Sequence, residues 1–297
     1  MEKSKVFFCR DVNPETLVKL YRLLNINLKG NVAVKLHSGE QGNKNYLKPE
    51  FVKPMVDYVN GTVVECNTAY GGARNSTEKH IKLIKEHKWD EVFKFDLMDA
   101  EGPDMVLPVE NPLQIKENLV GKDLAKYDSM LVLSHFKGHA MGGFGGALKQ
   151  LSIGVSSSAG KTRIHSAGVT DDQTKLWDNL PAQDAFLEAM SDAASSVVKH
   201  FNGNMAFINC MVNISVDCDC DGNAAPPCMQ NIGILASLDP IAIDQACLDL
   251  VDKSNDPGKP QLIERIDSRH GRHTVEVSEG RGFGTRNYEL IEVKFSN

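Results

Sequence analysis

The sequence has no apolar run that approaches the length of about eighteen residues needed for a membrane-spanning helix. The apolar stretch near the N-terminus, within MEKSKVFFCRDVNPET, is far too short for the apolar region of a secretory signal. Together these two absences predict a cytoplasmic protein that has no membrane partner.

Basic clusters and aromatic residues are also scarce. The formal net charge is −6 without a basic stripe, and only 7% of the residues are aromatic. Nucleic-acid binding normally requires clustered Lys and Arg side chains, so the composition argues against a nucleic-acid partner. We therefore expect the partner to be a small-molecule substrate.

Segments of strand length alternate with helical segments along the chain, which at 297 residues is long enough to bury a substantial core. Strands are predicted near residues 5–9, 32–36, 62–66, 131–133, 205–214, 232–235 and 289–295, and helices near 14–24, 48–59, 183–201 and 239–250. This order is typical of βαβ units and predicts an α/β fold with a mostly parallel sheet and flanking helices. We expect two subdomains around a cleft, residues 1–127 and 128–297, although the C-terminal strand could return to the first.

The segment 131–165 combines a buried strand with basic side chains and glycines. After Leu131-Val132-Leu133 come, in order, His135, Lys137, His139, Gly142, Gly143, Gly145, Gly146 and Lys149. Ligands of α/β proteins bind at the carboxyl ends of strands, and glycine lets a ligand approach the backbone. We therefore predict that His135, His139 and Lys149 are catalytic, and that the four glycines and Lys149 bind a cofactor.

A structural interpretation of the same segment stays open. A histidine is often a satisfied core or surface group, and a glycine-rich turn between a strand and a helix often serves close packing. The segment also lacks the GxxxxGK[ST] pattern and the third glycine of GxGxxG, so it is not a standard nucleotide-binding loop.

The loops after the strands near residues 36, 66 and 133 should lie along one edge of a parallel sheet. This topology predicts that polar side chains from the three loops face a shared cleft: His37, Glu40, Asn67, Thr68, His135, Lys137, His139 and Lys149.

Four of the seven cysteines fall between residues 210 and 228. Cys218, Cys220 and Cys228 lie on a polar loop that also carries three aspartates, and thiolates bind zinc, copper(I) or iron–sulfur clusters. We predict that these three cysteines bind an iron–sulfur cluster or a single metal ion. The alternative is an Asp- and Gly-rich turn that happens to contain cysteines, since the spacing is not CxxC…CxxC.

Three segments carry a family resemblance: KGHAMGGFGGALKQLSIGVSSSAGK, VDCDCDGNAAPPCMQNIGILASLDPIAIDQACLDLV and RNYELIEV. They resemble the family known as domain of unknown function 362, many members of which are iron–sulfur proteins with an inserted ferredoxin-type domain. This chain is a short form, because no cysteine lies between His165 and Met205. The resemblance implies that any cluster would depend on the loop at 218–228.

A more distant similarity links the chain to nickel-pincer lactate racemases. His139, Lys149 and His165 recur here in a similar order and spacing around GGFGGALK. The similarity implies that Lys149 lies near a cofactor or substrate and that His165 lies near a metal.

Three functions are consistent with these features. The first is a metal- or iron–sulfur-dependent redox protein or enzyme that acts on a small molecule in the cleft and has an electron-transfer partner. The second is a cofactor-dependent isomerase or lyase of a small hydroxy or carboxylic acid. The third is a non-enzymatic module that binds or delivers a metal through the cysteine loop.

Overall fold

One eight-stranded sheet forms the centre of the molecule. The structure is a computed structural model, and it describes residues 3–295. The described residues form twelve strands, of which β5 pairs with β6 and β8 with β9 outside this sheet. The strands are β1 (Ser4–Cys9), β2 (Val32–Lys35), β3 (Thr62–Glu65), β4 (Phe95–Leu97), β5 (Met105–Pro108), β6 (Glu117–Val120), β7 (Ser129–His135), β8 (Lys137–His139), β9 (Gly143–Gly145), β10 (Met205–Met211), β11 (Gly233–Ser237) and β12 (Tyr288–Glu292). The order across the sheet is β12-β1-β11-β10-β7-β2-β3-β4.

The sheet is mostly parallel. Strand β11 is antiparallel to both of its neighbours, β1 and β10. Every other pairing within this sheet is parallel. The predicted α/β fold with a mostly parallel sheet is therefore confirmed.

Helices flank the sheet, as predicted. They are α1 (Pro14–Leu23), α2 (Pro49–Tyr58), α3 (Thr77–Glu86), α4 (Trp89–Val92), α5 (Ala147–Lys149), α6 (Ser158–His165), α7 (Gln183–Phe201), α8 (Pro240–Lys253), α9 (Lys259–Ser268) and α10 (His273–Glu279). A π-helix, Gln150–Gly154, continues α5, and 3-10 turns cover Lys122–Lys126 and Gln173–Asp178.

Both faces of the sheet are buried, which explains why its strands have continuous apolar runs. Successive side chains of a strand point to opposite faces. In β7, Leu131 and Leu133 pack in the cluster that includes apolar residues of α1 and α2. Met130 and Val132 pack in the other cluster, with α7 and α8.

The glycine-rich segment differs from the predicted strand-to-helix turn. Strands β8 and β9 pair antiparallel and form a small hairpin before α5 begins. Gly143 has φ +77°, and a Cβ at this position would lie 2.8 Å from the Cα of Gly271. The hairpin therefore depends on close backbone packing against a segment far away in the sequence.

The sheet takes strands from both sides of the predicted boundary at residue 127, because β7 pairs with β2 and β1 lies between β11 and β12. The division into residues 1–127 and 128–297 stays a prediction. None of the helices within residues 3–295 combines the length and the apolarity that a membrane span requires.

Candidate functional site

A small polar cavity lies at the carboxyl ends of β2 and β3, beside the β8–β9 hairpin. Its lining includes five basic side chains and one carboxylate: Lys35, Arg74, Lys137, Lys149, Lys161 and Glu65. The cavity has a volume of about 30 Å³. This space suits a small ion or one anionic group of a larger ligand.

The structure brings several of the predicted cleft residues to this cavity. His37, Thr68, Lys137 and Lys149 line it. Glu40 lies behind the lining, where its carboxylate is 3.1 Å from Nε of Arg74.

The four glycines of the hairpin region have different surroundings. Gly145 and Gly146 line the cavity. A Cβ at Gly142 would lie 3.3 Å from Nδ1 of His139, whereas Gly143 packs against the Gly271 backbone. The structure therefore places two of the four predicted cofactor-binding glycines at the cavity.

Glu65, which the sequence analysis did not single out, connects much of the lining. Its carboxylate accepts hydrogen bonds at 2.9 Å from both the amide and the hydroxyl of Ser38 and from Nε2 of His80. Burial would raise the pKa of Glu65, but the charge of Lys35 and the hydrogen bond from His80 hold it well below its usual range. Glu65 is therefore a buried carboxylate anion.

Arg74 has an unused donor. Its Nε contacts Glu40, and its Nη1 lies 3.8 Å from Glu65. Its Nη2 has no hydrogen-bond partner among the described residues, although only 3% of Arg74 is exposed. A buried donor without a partner is costly, and an anionic ligand in the cavity could satisfy it.

Two lysines of the lining are buried, which disfavours their charged forms. Burial lowers the pKa of Lys35 to about 8 and also lowers the pKa of Lys161. Nζ of Lys161 donates to the carbonyl of Ser156 at 2.5 Å, and no carboxylate within residues 3–295 lies within 4.0 Å of it. The cavity thus contains a cation that lacks a paired anion.

A cluster of thiols and one imidazole lies beside the cavity. The two Sγ atoms of Cys218 and Cys220 and one ring nitrogen of His139 all lie within 4.8 Å of one another. Nζ of Lys149 donates to Sγ of Cys218 at 3.2 Å and so joins this cluster to the lining. We call His139, Cys218 and Cys220 the thiol cluster.

The two thiols of the cluster have unequal acidity. The hydrogen bond from Cys220 lowers the pKa of Cys218, burial opposes this effect, and the charges of Lys149 and Lys137 lower the pKa further. The net result is a pKa of Cys218 well below its ordinary value, whereas the pKa of Cys220 is raised. The cluster therefore favours one thiolate and one thiol.

His139 is held in one tautomer. Its Nδ1 accepts hydrogen bonds from the amides of Gly142 at 2.8 Å and Met141 at 3.3 Å. Burial, followed by the charge of Lys149, holds the pKa of His139 well below its ordinary value. The neutral ring carries its proton on Nε2 and is a hydrogen-bond donor there. To bind a metal, the ring would have to lose the Nε2 proton, or Nδ1 would have to lose its hydrogen bonds from the two amides.

His135, predicted to be catalytic, lies behind the cysteine loop. Its Nδ1 is 2.9 Å from Oδ1 of Asp219, and its Nε2 is 2.6 Å from the carbonyl of Val212. Asp219 also pairs with Nζ of Lys137 at 2.8 Å. Both ring nitrogens of His135 are thus engaged, and the ring positions the loop that carries the thiols.

The other two predicted metal ligands lie outside the thiol cluster. Nδ1 of His165 donates to the carbonyl of Lys161 at 2.7 Å, and burial lowers the pKa of His165 to about 4. The thiol of Cys228 donates to the carbonyl of Ile214 at 3.4 Å. The structure therefore brings Cys218 and Cys220 together without Cys228 or His165.

The donor set decides which metal group the cluster suits. Iron–sulfur clusters of the common types need four cysteine ligands. Among the described residues the cluster offers two thiols and one imidazole, so a four-cysteine iron–sulfur cluster does not fit. A single ion with two thiolate ligands and open positions does fit.

Comparison with known proteins gives one family match and several matches to solved structures. The family model described as domain of unknown function (DUF362) matches residues 32–249. The lactate racemase apoprotein from Thermoanaerobacterium thermosaccharolyticum shares 14% identity over 69% of this chain and 50% of its own, with a TM-score of 0.45. A protein from Thermotoga maritima shares 10% identity over 90% of this chain and 58% of its own, with a TM-score of 0.44. The chain thus spans between half and three fifths of the length of these structures, and no curated protein matches it.

Proposed function

This chain belongs to the family described as domain of unknown function (DUF362), and from that premise we propose that it binds a single thiophilic metal ion and acts on a small anionic molecule beside it. Cys218 and Cys220 are the proposed ligands. The proposal rests on one observation: their Sγ atoms lie within 4.8 Å of each other.

The electrostatic surroundings support metal binding by the thiols. A metal binds thiolate, so a site that already favours the thiolate loses less free energy to deprotonation. Lys149 and Lys137 stabilise the thiolate of Cys218 in this way. Two thiolates also offset the charge of a divalent ion, which limits its repulsion by the two lysines.

The cavity supports an anionic substrate. Arg74 offers an unpaired Nη2, and Lys161 offers an ammonium group without a carboxylate partner among the described residues. Lys149 contacts both the cavity and the thiolate, so a bound anion would lie next to the metal ligands.

The residues of the chain have separate roles in this proposal. A bound metal would act as a Lewis acid or an electron carrier. Arg74 and Lys161 would hold the anionic group, Lys149 would keep Cys218 ionised, and His139 would donate a hydrogen bond from Nε2. An electron-transfer partner stays a prediction.

A purely metal-delivering module is less well supported. Such a protein has no need for a basic cavity next to its thiols. Here the distance from Lys149 Nζ to Cys218 Sγ is only 3.2 Å, and the same lysine lines the cavity.

The test is metal analysis of protein purified without oxygen, together with its absorption spectrum. We expect near-stoichiometric metal and thiolate-to-metal charge-transfer absorption in the wild type, and the loss of both in the double variant Cys218→Ser/Cys220→Ser. Cys228→Ser is the matched control, because it removes a thiol of the same loop outside the thiol cluster. Metal-free wild type would refute the proposal, and so would a double variant that keeps the charge-transfer band.

A second candidate function is proton transfer on a small acid, as in an isomerase or lyase. Its specific support is a pair of neutral imidazoles with complementary protons. His139 carries its proton on Nε2, whereas His165 carries it on Nδ1 and leaves Nε2 as an acceptor. The charge of Lys149 affects the pKa of both rings, so all three groups share one region.

Deuterium incorporation tests this second candidate. If it is correct, the wild type exchanges a carbon-bound proton of small carboxylic acids with solvent deuterium, as read by NMR, and His165→Gln loses the exchange. Metal-loaded wild type that exchanges no proton in a panel of such acids would exclude it.

A further inference from the structure

A second group of metal-ligating side chains lies on the surface, where α7 packs against the turn between α9 and α10. Asp184 and Glu188 are one helical turn apart near the start of α7 and therefore share a face. His270 lies in the turn, and His273 is the first residue of α10. We call these four residues the surface cluster.

The geometry suits a metal ion. One ligand atom from each of Asp184, His270 and His273 lies within 4.8 Å of the other two. Nδ1 of His270 is 2.6 Å from Oδ1 of Asp184, and Nε2 of His273 is 3.4 Å from Oε1 of Glu188. Ligand atoms of tetrahedral zinc are about 3.3 Å apart, given Zn–N and Zn–O distances of about 2.0–2.2 Å, so small side-chain rotations would complete the site.

The charges of the surface cluster also favour a metal ion. No Lys or Arg side chain within residues 3–295 pairs with Asp184 or Glu188; their ion-pair partners are the two histidines. Oε2 of Glu188 is fixed by Nε2 of Gln114 at 2.6 Å, which leaves Oε1 turned towards His273. Two carboxylates and two imidazoles supply nitrogen and oxygen donors, which zinc binds readily once the rings are deprotonated. The hydrogen bond to Asp184 raises the pKa of His270, so zinc must displace a proton from this ring.

The backbone at His270 is held in an unusual conformation. His270 has φ +48°, in the left-handed region that residues other than glycine seldom adopt. The rings of His270 and His273 stack in parallel, with centroids 5.1 Å apart and planes at 10°. The turn therefore orients both imidazoles towards the same side.

The same turn supports the hairpin that carries His139. Nε of Arg269 donates to the carbonyl of Ala140 at 2.6 Å. Nε2 of Gln183 contacts both the carbonyl of Met141, at 2.8 Å, and that of Arg269, at 2.7 Å. Gly271 packs directly against the backbone of Gly143.

We propose that Asp184, His270 and His273, with Glu188, form a second metal site for zinc or a similar divalent ion, and that the bound ion fastens the α9–α10 turn to α7 beneath the hairpin. This site is distinct from the thiol cluster in both its donor atoms and its residues. Its role is to position the hairpin, and the ion does not contact the substrate.

The experiment uses the full chain with Cys218→Ser/Cys220→Ser, so that metal bound at the thiol cluster does not contribute. After removal of metal, titration with zinc by calorimetry should show one site per chain. Cobalt(II) should bind without the charge-transfer absorption that thiolate ligands produce. His270→Ala and His273→Ala should each weaken zinc binding by at least about tenfold.

The matched control is His200→Ala, which removes a histidine from the far end of α7 outside the surface cluster. The three histidine variants change exposed or partly exposed side chains, and circular dichroism checks that they and their parent fold. A second readout is protease resistance of the hairpin, which zinc should increase in the parent and in His200→Ala but not in His273→Ala. Absence of zinc binding, or binding that neither cluster substitution weakens, would overturn the proposal. Since the two thiols of the thiol cluster are absent throughout, neither outcome depends on the proposed function.

Discussion

At the scale of single residues, the candidate site contains ionised groups that the protein keeps buried. Glu65 is 2% exposed and is surrounded by Lys35, Arg74 and His80. A buried ion pair contributes little net stability, but removal of one partner leaves the other charges uncompensated. The stability of the folded state should therefore depend strongly on Glu65.

Glu65→Gln should lower the free energy of unfolding by about 3–5 kcal/mol at neutral pH, as measured by urea denaturation. The folded pKa of Glu65 lies below that of the unfolded chain, so the stabilisation is present above about pH 4.3 and is lost as pH falls through the folded value. Glu292→Gln is the control, because its pair with Arg10 is largely exposed and should change stability by less than about 0.5 kcal/mol. Equal effects of the two variants would contradict this prediction.

Lys161→Met should separate stability from binding. Loss of a buried ammonium without a carboxylate partner should raise the free energy of unfolding by about 1 kcal/mol at neutral pH. The unfolded chain holds the lysine proton more tightly, so this gain should shrink as pH rises towards about 10.4.

The same variant should lose anion binding. Titration of the wild type with acetate or inorganic phosphate should show binding that neutral acetamide does not reproduce, and Lys161→Met should weaken it at least about tenfold. Lys53→Met is the matched control, since Lys53 is exposed and lies outside the cavity. Anion binding that survives in Lys161→Met would remove Lys161 from the proposed anion site.

At the scale of single elements, the start of α5 depends on a carboxylate from α8. Asp244 accepts hydrogen bonds from the amides of Ala147 at 2.8 Å and Leu148 at 2.9 Å. Burial raises the pKa of Asp244 to about 6. Gly146, just before α5, leaves room for this carboxylate, since a Cβ there would lie 2.3 Å from Oδ1 of Asp244.

Gly146→Ala should therefore destabilise the fold by about 2 kcal/mol or more, because Asp244 must move and its hydrogen bonds to α5 weaken. Thermal unfolding followed by circular dichroism measures the effect. Gly71→Ala is the control, since a Cβ at Gly71 would have no neighbour within 4 Å. If both variants unfold at the same temperature, the close approach of Asp244 does not constrain residue 146.

The sequence predicts elements whose residues carry their own periodicity. Helix α7 begins and ends at the predicted residues, Gln183 and Phe201, because its amphipathic pattern is long and regular. The β8–β9 hairpin was not predicted, because its pairing depends on contact with Gly271, over a hundred residues away. The strand predicted over residues 205–214 ends at Met211.

Site residues, too, were predicted only where the signal lies in the local sequence. Lys149 and His139 were predicted from their place after a buried strand. The contacts of Glu65 and Arg74 join segments that are distant in the sequence, so the sequence did not predict them. The one local signal was a carboxylate at the end of the apolar strand TVVE. The grouping of Cys218 with Cys220 but without Cys228 likewise depends on how the loop folds.

At the scale of the whole molecule, β12 protects one edge of the sheet. It pairs in parallel with β1, and the hydroxyl of Tyr288 donates to Asp249 on α8 at 2.6 Å. A chain that ends at residue 285 would leave β1 as an unprotected edge, which favours self-association.

We expect this shortened chain to unfold at a temperature lower by roughly 5 °C or more and to form oligomers on size-exclusion chromatography. A chain that ends at residue 295 keeps both β12 and Phe295, which packs against the core, and should behave like the wild type. A shortened chain that elutes at the same size as the wild type, with unchanged thermal stability, would show that β12 contributes little to the sheet.

The position of β1 has a consequence for biosynthesis. The ribosome produces β1 long before its two sheet neighbours, β11 and β12, which begin at residues 233 and 288. During translation the segment Ser4–Cys9 therefore has no native sheet partner until β11, which ends at Ser237, has been synthesised. We therefore expect this apolar stretch to remain exposed for longer than the other strands of the sheet, which is the condition under which chaperones bind nascent chains.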